Sequence, residues 1–159
     1  MIIAQNKVRI ARVEKLDITD PGLPVVDIEV FEKTRATMGA GFIKIITYFG
    51  EDGAKAVAEI EAAQREGNAT RMVMPAHTMK SEARQFGAMT LGELTERIEM
   101  GARRCVEHQE TPDELLVLVA RLKPLFRRTM EVLERETNPL VQRRGEVRSA
   151  AGNQSFGRI

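Results

Sequence analysis

Apolar residues recur along the chain at the three- and four-residue spacings that are typical of amphipathic helices. From about Ala40 to Glu66 they form one seam, which predicts a helix with a single buried face: Phe42, Ile46, Phe49, Gly53, Ala56, Ile60 and Ala63. Gly67 suits the left-handed residue that follows a helix end, and Asn68 is a favourable cap for the next helix. The pattern therefore predicts a long helix, a break, and a second helix.

Further helices are predicted on both sides of this pair. A short helix is expected from Asp27 to Met38, and two capping-box sequences, at residues 90–93 and 111–114, open the last two helices. The stripe of the first is Leu91, Leu94, Ile98, Ala102 and Cys105; that of the second is Leu115, Val119, Leu122, Phe126, Met130 and Leu133. Amphipathic helices joined by short loops favour an all-α fold, an antiparallel up-down four-helix bundle with an extra N-terminal segment.

The pattern divides the chain into three parts. Residues 1–22 are interpreted as an N-terminal arm or an extra helix, and residues 23–137 as the bundle. Residues 138–159 contain few large apolar side chains, and they are rich in arginine and glycine: Arg143, Arg144, Gly145, Arg148, Gly152, Gly157 and Arg158. Such a composition favours a flexible basic tail.

Composition argues against several classes of function. Lys plus Arg (24) nearly equals Asp plus Glu (23), which disfavours a general binder of nucleic acids or membrane surfaces. The single cysteine, Cys105, precludes an internal disulfide and favours a reducing compartment. No apolar run approaches the roughly 20 residues of a membrane span, and no signal-peptide run follows Met1. We therefore predict a cytoplasmic protein whose partners are neither nucleic acid nor membrane.

The segment PAHTMKSEARQFGAM, residues 75–89, carries the candidate chemistry. On a helical wheel one face is apolar (Met72, Ala76, Met79, Ala83 and Phe86), and the opposite face holds His77, Lys80, Ser81, Arg84 and Ala88. A solvent-facing imidazole is nucleophilic near pH 7 and can form a covalent phosphoramidate, for which Lys80 and Arg84 would supply positive charge. Residues of these types also occupy ordinary solvated helix faces, so spacing alone leaves both interpretations open.

Other kinds of site have weaker support. A metal site inside the bundle would need His77 on the buried face, with carboxylates in Glu-x-x-His spacing. Cys105 and His108 form one Cys-x-x-His pair without a second pair, so we interpret His108 as a solvated loop residue and predict no metal site. The chain lacks a G-x-S-x-G elbow and a Gly-rich nucleotide loop, which argues against a hydrolase and against ATP binding.

The segment from Ala76 to Ala88 resembles the signature of histidine-containing phosphotransfer (HPt) domains of the bacterial type, roughly A-H-x-L-K-G-x-x-x-x-x-G-A. The likeness extends in pattern from Val25 to Glu136. The resemblance implies a helical bundle in which His77 is the phosphoacceptor. By the same resemblance, Lys80 supports the phosphoryl group and Gly87 closes the motif.

Two positions depart from that signature. Ser81 stands where the family usually has glycine, and Glu82 stands where it usually has a small residue. Because neither change removes the nucleophile, we expect them to affect the choice of partner more than activity. The surface that binds the partner is expected to surround His77 and to include Met74, Ser81, Arg84 and Gln85.

The function implied by the resemblance is that of a phosphorelay intermediate in two-component signalling. His77 would take a phosphoryl group from an aspartyl phosphate on a receiver domain, of a response regulator or a hybrid histidine kinase, and pass it to another receiver. The chain would be a monomeric phosphocarrier without its own catalytic machinery or cofactor, because Mg²⁺ belongs to the receiver. The alternative is an adaptor bundle that is not phosphorylated and binds a receiver or a histidine kinase without phosphotransfer.

Overall fold

The computed structural model describes residues 22–138, and this part of the chain is helical. The predicted tail after Asn138 and the predicted arm before Gly22 lie outside the described residues. The elements are α1 (Ile28–Met38), a 3-10 turn (Gly39–Gly41), α2 (Phe42–Arg65), α3 (Ala69–Gln85), α4 (Met89–His108), a second 3-10 turn (Asp113–Leu115) and α5 (Leu116–Thr137).

The four long helices form the bundle that the pattern predicts. Helix α3 packs against α2 on one side and α4 on the other, and α5 closes the arrangement by packing against both α2 and α4. The predicted all-α four-helix architecture is therefore confirmed, with α1 as an additional short helix that contacts α3. Within residues 22–138, every helix is too short or too polar to span a lipid bilayer.

The core lies along the predicted seams. In α2 the buried seam contains Val57 where the spacing predicts Ala56, because a helix of 3.6 residues per turn drifts away from a strict four-three repeat. Five phenylalanines connect the layers by ring contacts. The centroid separations are 5.2 Å for Phe31–Phe42, 6.0 Å for Phe42–Phe86, 5.3 Å for Phe49–Phe86 and 5.9 Å for Phe49–Phe126.

The predicted break between α2 and α3 is present. Gly67 has a φ of 65°, and the side chain of Asn68 accepts a hydrogen bond from the amide of Arg71 at 3.2 Å. Asp27 caps α1 in the same way, accepting from the amides of Glu29 and Val30 at 3.0 and 3.2 Å. These caps satisfy amides that have no partner inside the helix.

The two predicted capping boxes are wrong. Helix α4 begins at Met89, before Thr90, because the tight turn after α3 already satisfies the first amide: Met89 N donates to the Gly87 carbonyl at 2.9 Å. At the other box, Thr111 Oγ1 donates to the Asp113 carboxylate at 2.7 Å, and a 3-10 turn precedes α5. In both places the conformation of the loop decides where the helix starts.

Gly87 ends the histidine helix and joins it to the N-terminal segment. The φ angle of Gly87 is 78°. The backbone amide of Asp27 donates to the Gly87 carbonyl at 2.8 Å. A Cβ on residue 87 would lie only 2.4 Å from the carbonyl oxygen of Asp27. Only glycine fits such a close approach in this conformation. The helical wheel places Ala88 on the solvated face of the histidine helix. That prediction is wrong, because the chain turns at Gly87, so Ala88 lies beyond the end of α3 and is buried.

Candidate functional site

Helix α3 presents His77 at the edge that faces α4. The neighbouring Ala76 and Met79 are fully buried and fix the rotation of the helix, while the His77 side chain is 46% exposed. Pro75 lies inside α3 rather than at its start, which is capped by Asn68. The imidazole is therefore accessible but anchored on a helix that is well packed.

A glutamate of α4, Glu99, joins the polar groups of this edge. Its Oε1 forms a hydrogen bond with His77 Nδ1 at 2.9 Å, and its Oε2 accepts a hydrogen bond from Lys80 Nζ at 2.6 Å. The side chain of Glu99 is only 6% exposed, and that of Lys80 is 18% exposed. Lys80, predicted on the solvated face, is thus folded onto α4, because a buried carboxylate needs a charged partner.

Arg103, one turn after Glu99 on α4, completes the cluster. Its Nε and Nη2 both donate to Glu99 Oε1, at 3.1 and 2.9 Å, and its side chain is 52% exposed. Burial of the Glu99 carboxyl opposes its ionisation, but the hydrogen bonds from Lys80, Arg103 and His77 outweigh that effect. They lower the pKa of Glu99 from 4.5 to about 2.

The ionisation of Glu99 determines which nitrogen of His77 carries the proton. An ionised carboxylate can only accept hydrogen bonds, so His77 Nδ1 is the donor. In the neutral ring the other nitrogen, Nε2, then holds the lone pair. The half-exposed ring is therefore oriented by a buried anion and keeps one basic nitrogen for chemistry.

Arg84 lies outside this cluster. It forms a separate ion pair with Glu96 of α4, with Nη2 2.7 Å from Oε2. Its side chain also lies over Gly92 of α4, where a Cβ would be only 2.9 Å from Arg84 Cγ. Arg84 is two turns away from His77 along α3 and is held against α4 by these contacts. The geometry brings His77 and Lys80 together, but it does not bring Arg84 to them.

A protein-family model and a solved structure both match this chain. The Hpt domain family model matches residues 44–136, which is more than half of the chain. The chain belongs to the Hpt domain family. Its fold is similar to that of histidine-containing phosphotransfer protein B (HptB) from Pseudomonas aeruginosa PAO1, with a TM-score of 0.64 and 20% identity over 72% of this chain and 96% of that chain. A comparison with curated proteins finds no significant match.

Membership of the Hpt family supports a phosphotransfer role in two-component signalling. The two departures from the family signature have distinct surroundings. Ser81 is exposed, and its hydroxyl donates to the His77 carbonyl at 3.2 Å, so it is bonded to its own helix. Glu82 is half-buried, and that burial, and secondarily the charge of Asp52 on α2, raise its pKa. Ser81 is thus the departure that contacts His77, through the main-chain carbonyl.

The remaining residues of the predicted partner surface are accessible. Met74 is 63% exposed one turn before His77, and Gln85 is exposed at the end of α3, where its carbonyl accepts from Thr34 Oγ1 at 2.7 Å. His108 is exposed as expected, but it is the last residue of α4 and not a loop residue. Cys105 is buried, and that burial raises the pKa of its thiol. Within the described residues, no group of three or more metal-binding side chains is assembled.

Sequence reasoning missed Glu99 and Arg103. Glu99 follows Ile98 of the predicted buried stripe, and this position at the margin of the stripe is the signal that the sequence offers. Arg103 stands four residues later, a spacing that pairs opposite charges on a helix. Neither signal identifies His77 as the partner, because that requires the register between α3 and α4.

Proposed function

We propose that this protein is a phosphorelay intermediate, in which His77 accepts a phosphoryl group from an aspartyl phosphate of a receiver domain and passes it to another receiver. The observation that carries the proposal is the hydrogen bond from His77 Nδ1 to the buried Glu99, on a ring that is half exposed. This contact orients the imidazole and leaves Nε2 as the nucleophile, in a chain of the Hpt family.

The transfer needs one bond formed and one broken. The Nε2 lone pair of His77 attacks phosphorus, and the bond between phosphorus and the aspartyl oxygen breaks, so the aspartate leaves as a carboxylate. The ring retains its Nδ1 proton and becomes cationic. The ionised Glu99, 2.9 Å from Nδ1, stabilises that positive charge, and the reverse reaction restores the neutral ring.

Lys80 is proposed to act beside the nucleophile. Its ammonium group has three donors, one of which is committed to Glu99 Oε2. The others can meet the oxygens of a phosphoryl group on the adjacent turn of α3. The Glu99 contact holds the side chain in place, which reduces the entropy lost when it binds a phosphoryl oxygen.

The partner supplies the remaining chemistry. Receiver domains of response regulators and of a hybrid histidine kinase would bring the aspartate and Mg²⁺, so the chain acts as a monomeric phosphocarrier in the cytoplasm without its own cofactor. The surface that surrounds His77, with Met74, Ser81, Arg84 and Gln85, is proposed to dock the receiver. Three of these residues, Met74, Ser81 and Gln85, are exposed.

The proposal is tested by phosphate transfer from a panel of phosphorylated receiver domains in the presence of Mg²⁺. The protein is expected to acquire an acid-labile, base-stable phosphate from at least one receiver. The chain has two histidines, so His108→Gln serves as the matched control for His77→Gln. We expect labelling to persist in His108→Gln and to be lost in His77→Gln, with both variants folded by circular dichroism.

Two outcomes would contradict the proposal. Equal labelling of His77→Gln and the parent would remove His77 from the mechanism. Receiver binding that is unaffected by His77→Gln, together with an absence of phosphohistidine across the whole panel, would favour the adaptor function instead.

A further inference from the structure

A groove between α2 and α5 lies on the side of the bundle away from His77. Helix α3 packs against α2 and α4, and α5 packs against the same two helices, so the α2–α5 face is opposite the α3–α4 edge that carries His77. The groove has a volume of about 460 Å³, within the roughly 300–1,000 Å³ of clefts that bind ligands. It is therefore large enough to bind a short segment of chain.

The surface of this groove is mainly apolar and can adapt its shape. Ile43 of α2 is 62% exposed, and Met130 of α5 is half-buried on the other side of the groove. A Cβ on Gly50 would lie 2.9 Å from Met130 Cε, so the glycine leaves room for the methionine. Because methionine is flexible and fills irregular gaps, this surface can accommodate an incoming apolar side chain.

Two carboxylates flank the apolar surface, Glu51 of α2 and Glu134 of α5. Both residues are exposed, and neither carboxylate forms an ion pair within residues 22–138. A ligand that matches the groove should therefore combine apolar side chains with positive charge.

The described chain ends at the mouth of this groove. Thr137, the last residue of α5, lines the groove, and Asn138 has an extended backbone with a φ of −73° and a ψ of 119°. Asn138 precedes a proline, and proline disfavours the helical conformation for the residue before it. The next residues combine the two properties that the groove requires: Leu140 and Val141 are apolar, and Arg143 and Arg144 are basic.

The lengths of the groove and of this segment also agree. The α5 side of the groove extends from Met130 to Thr137, which is about 10 Å at 1.5 Å per helical residue. Six extended residues, 139–144, span up to about 20 Å. They can therefore pass along the whole groove after a reversal at Pro139.

We propose that the α2–α5 groove binds residues 139–144 of this chain. Leu140 covers the apolar surface at Met130, and the two arginines approach Glu51 and Glu134. A segment tethered by two residues has a local concentration in the millimolar range, so modest contacts are sufficient. This interaction is independent of the proposed role of His77, because it occupies the opposite face of the bundle.

Methyl NMR of the full chain tests the contact directly. We expect nuclear Overhauser effects from the Leu140 methyls to the Met130 ε-methyl and to the Ile43 δ1-methyl. Met100 and Leu116, which are 58% and 60% exposed elsewhere on α4 and α5, are internal controls and should show no such effect to Leu140. A sample that mixes two labelling patterns separates contacts within one chain from contacts between chains.

Trypsin cleavage measures how much of the time the segment is bound. Arg144 lies in the proposed bound segment, and Arg148 lies four residues beyond it. A synthetic peptide of residues 138–159 gives the intrinsic ratio of cleavage at these two sites. Since cleavage follows the population of the open form, we expect the Arg144 site, relative to Arg148, to be at least about fivefold slower in the protein than in the peptide.

Paired glutamate variants test the role of charge. Glu51→Gln with Glu134→Gln should reduce the protection of the Arg144 site by at least about twofold, as for two exposed ion pairs. Glu59→Gln with Glu131→Gln is the matched control, because these exposed glutamates belong to the same two helices but do not line the groove. The control should retain the protection of the parent.

Several results would overturn the inference. One is the absence of Leu140 contacts with the groove methyls, and another is a cleavage ratio in the parent equal to that of the peptide. Contacts that appear only between chains in the mixed sample would assign the groove to a second copy. Equal loss of protection in both pairs of glutamate variants would show that the carboxylates of the groove do not recognise the arginines.

Discussion

At the scale of single residues, the cluster around Glu99 assigns different tasks to the cations of α3. Lys80 Nζ contacts the same carboxylate as His77, whereas Arg84 is paired with Glu96 two turns away from the imidazole. Both cations lie on the face that the helical wheel presents to the partner. Their partners on α4 differ, so only Lys80 is held next to the imidazole, although both cations lie on the same helix face.

We therefore predict that Lys80→Ala slows phosphoryl transfer to His77 by about tenfold or more, in the range of a lost charge at a transition state. Arg84→Ala should slow transfer less and raise the apparent KM for the receiver, as expected of a docking residue. Single-turnover transfer at several receiver concentrations measures both effects. Equal rates for Lys80→Ala and the parent would refute the electrostatic role of Lys80.

At the scale of the helix, Ser81 occupies the exposed position one turn after His77. Its hydroxyl donates to the His77 carbonyl at 3.2 Å, so the serine side chain is held against its own helix one turn from the nucleophile. Glycine, the usual residue in the family, would remove that side chain and open the approach of a receiver. It would also weaken the helix, since glycine is an unfavourable residue in a helix interior.

We expect Ser81→Gly to lower the free energy of unfolding by up to about 1 kcal/mol and to accelerate transfer with some receivers of a panel. Thr78→Gly is the control, because Thr78 is exposed on the same helix and also adjoins His77 in sequence. Urea denaturation should give similar losses of stability for the two variants. If the ranking of receivers and the rates are the same for Ser81→Gly and the parent, Ser81 does not set specificity.

At the scale of the whole molecule, the free energy of unfolding should depend on pH through Glu99, whose carboxylate joins α3 to α4. The folded-state pKa of Glu99 is about 2, below its ordinary value of 4.5, so the carboxylate stabilises the fold above pH 4.5. That contribution is lost as the pH falls from 4.5 through 2. At about 1.4 kcal/mol per pH unit, the difference amounts to about 3 kcal/mol.

Urea denaturation between pH 6 and pH 2 measures this contribution. We expect the parent to lose about 3 kcal/mol more than Glu99→Gln over this interval, because glutamine does not titrate. Parallel curves for the two proteins would show that the Glu99 cluster does not contribute to acid stability.

The sequence by itself determined the helices and their buried stripes, since side chains that recur every 3.6 residues must share a face wherever the helix lies. It also singled out His77, because this histidine lies on a face predicted to be solvated and within a segment that resembles a family signature. Local patterns were less successful at Thr90 and Ala88, where the Gly87 turn overrides the wheel and the capping rule.

Only the tertiary structure decided what His77 touches. Glu99 is 22 positions away in the chain, and its contact depends on the register of α3 against α4, which the turn at Gly87 and the packing of the core set together. The same register places Arg103 on the Glu99 carboxylate and Arg84 on Glu96. A periodic pattern states which face is buried, but contacts between faces of different helices arise from packing, so the electrostatics of the site were beyond the reach of sequence alone.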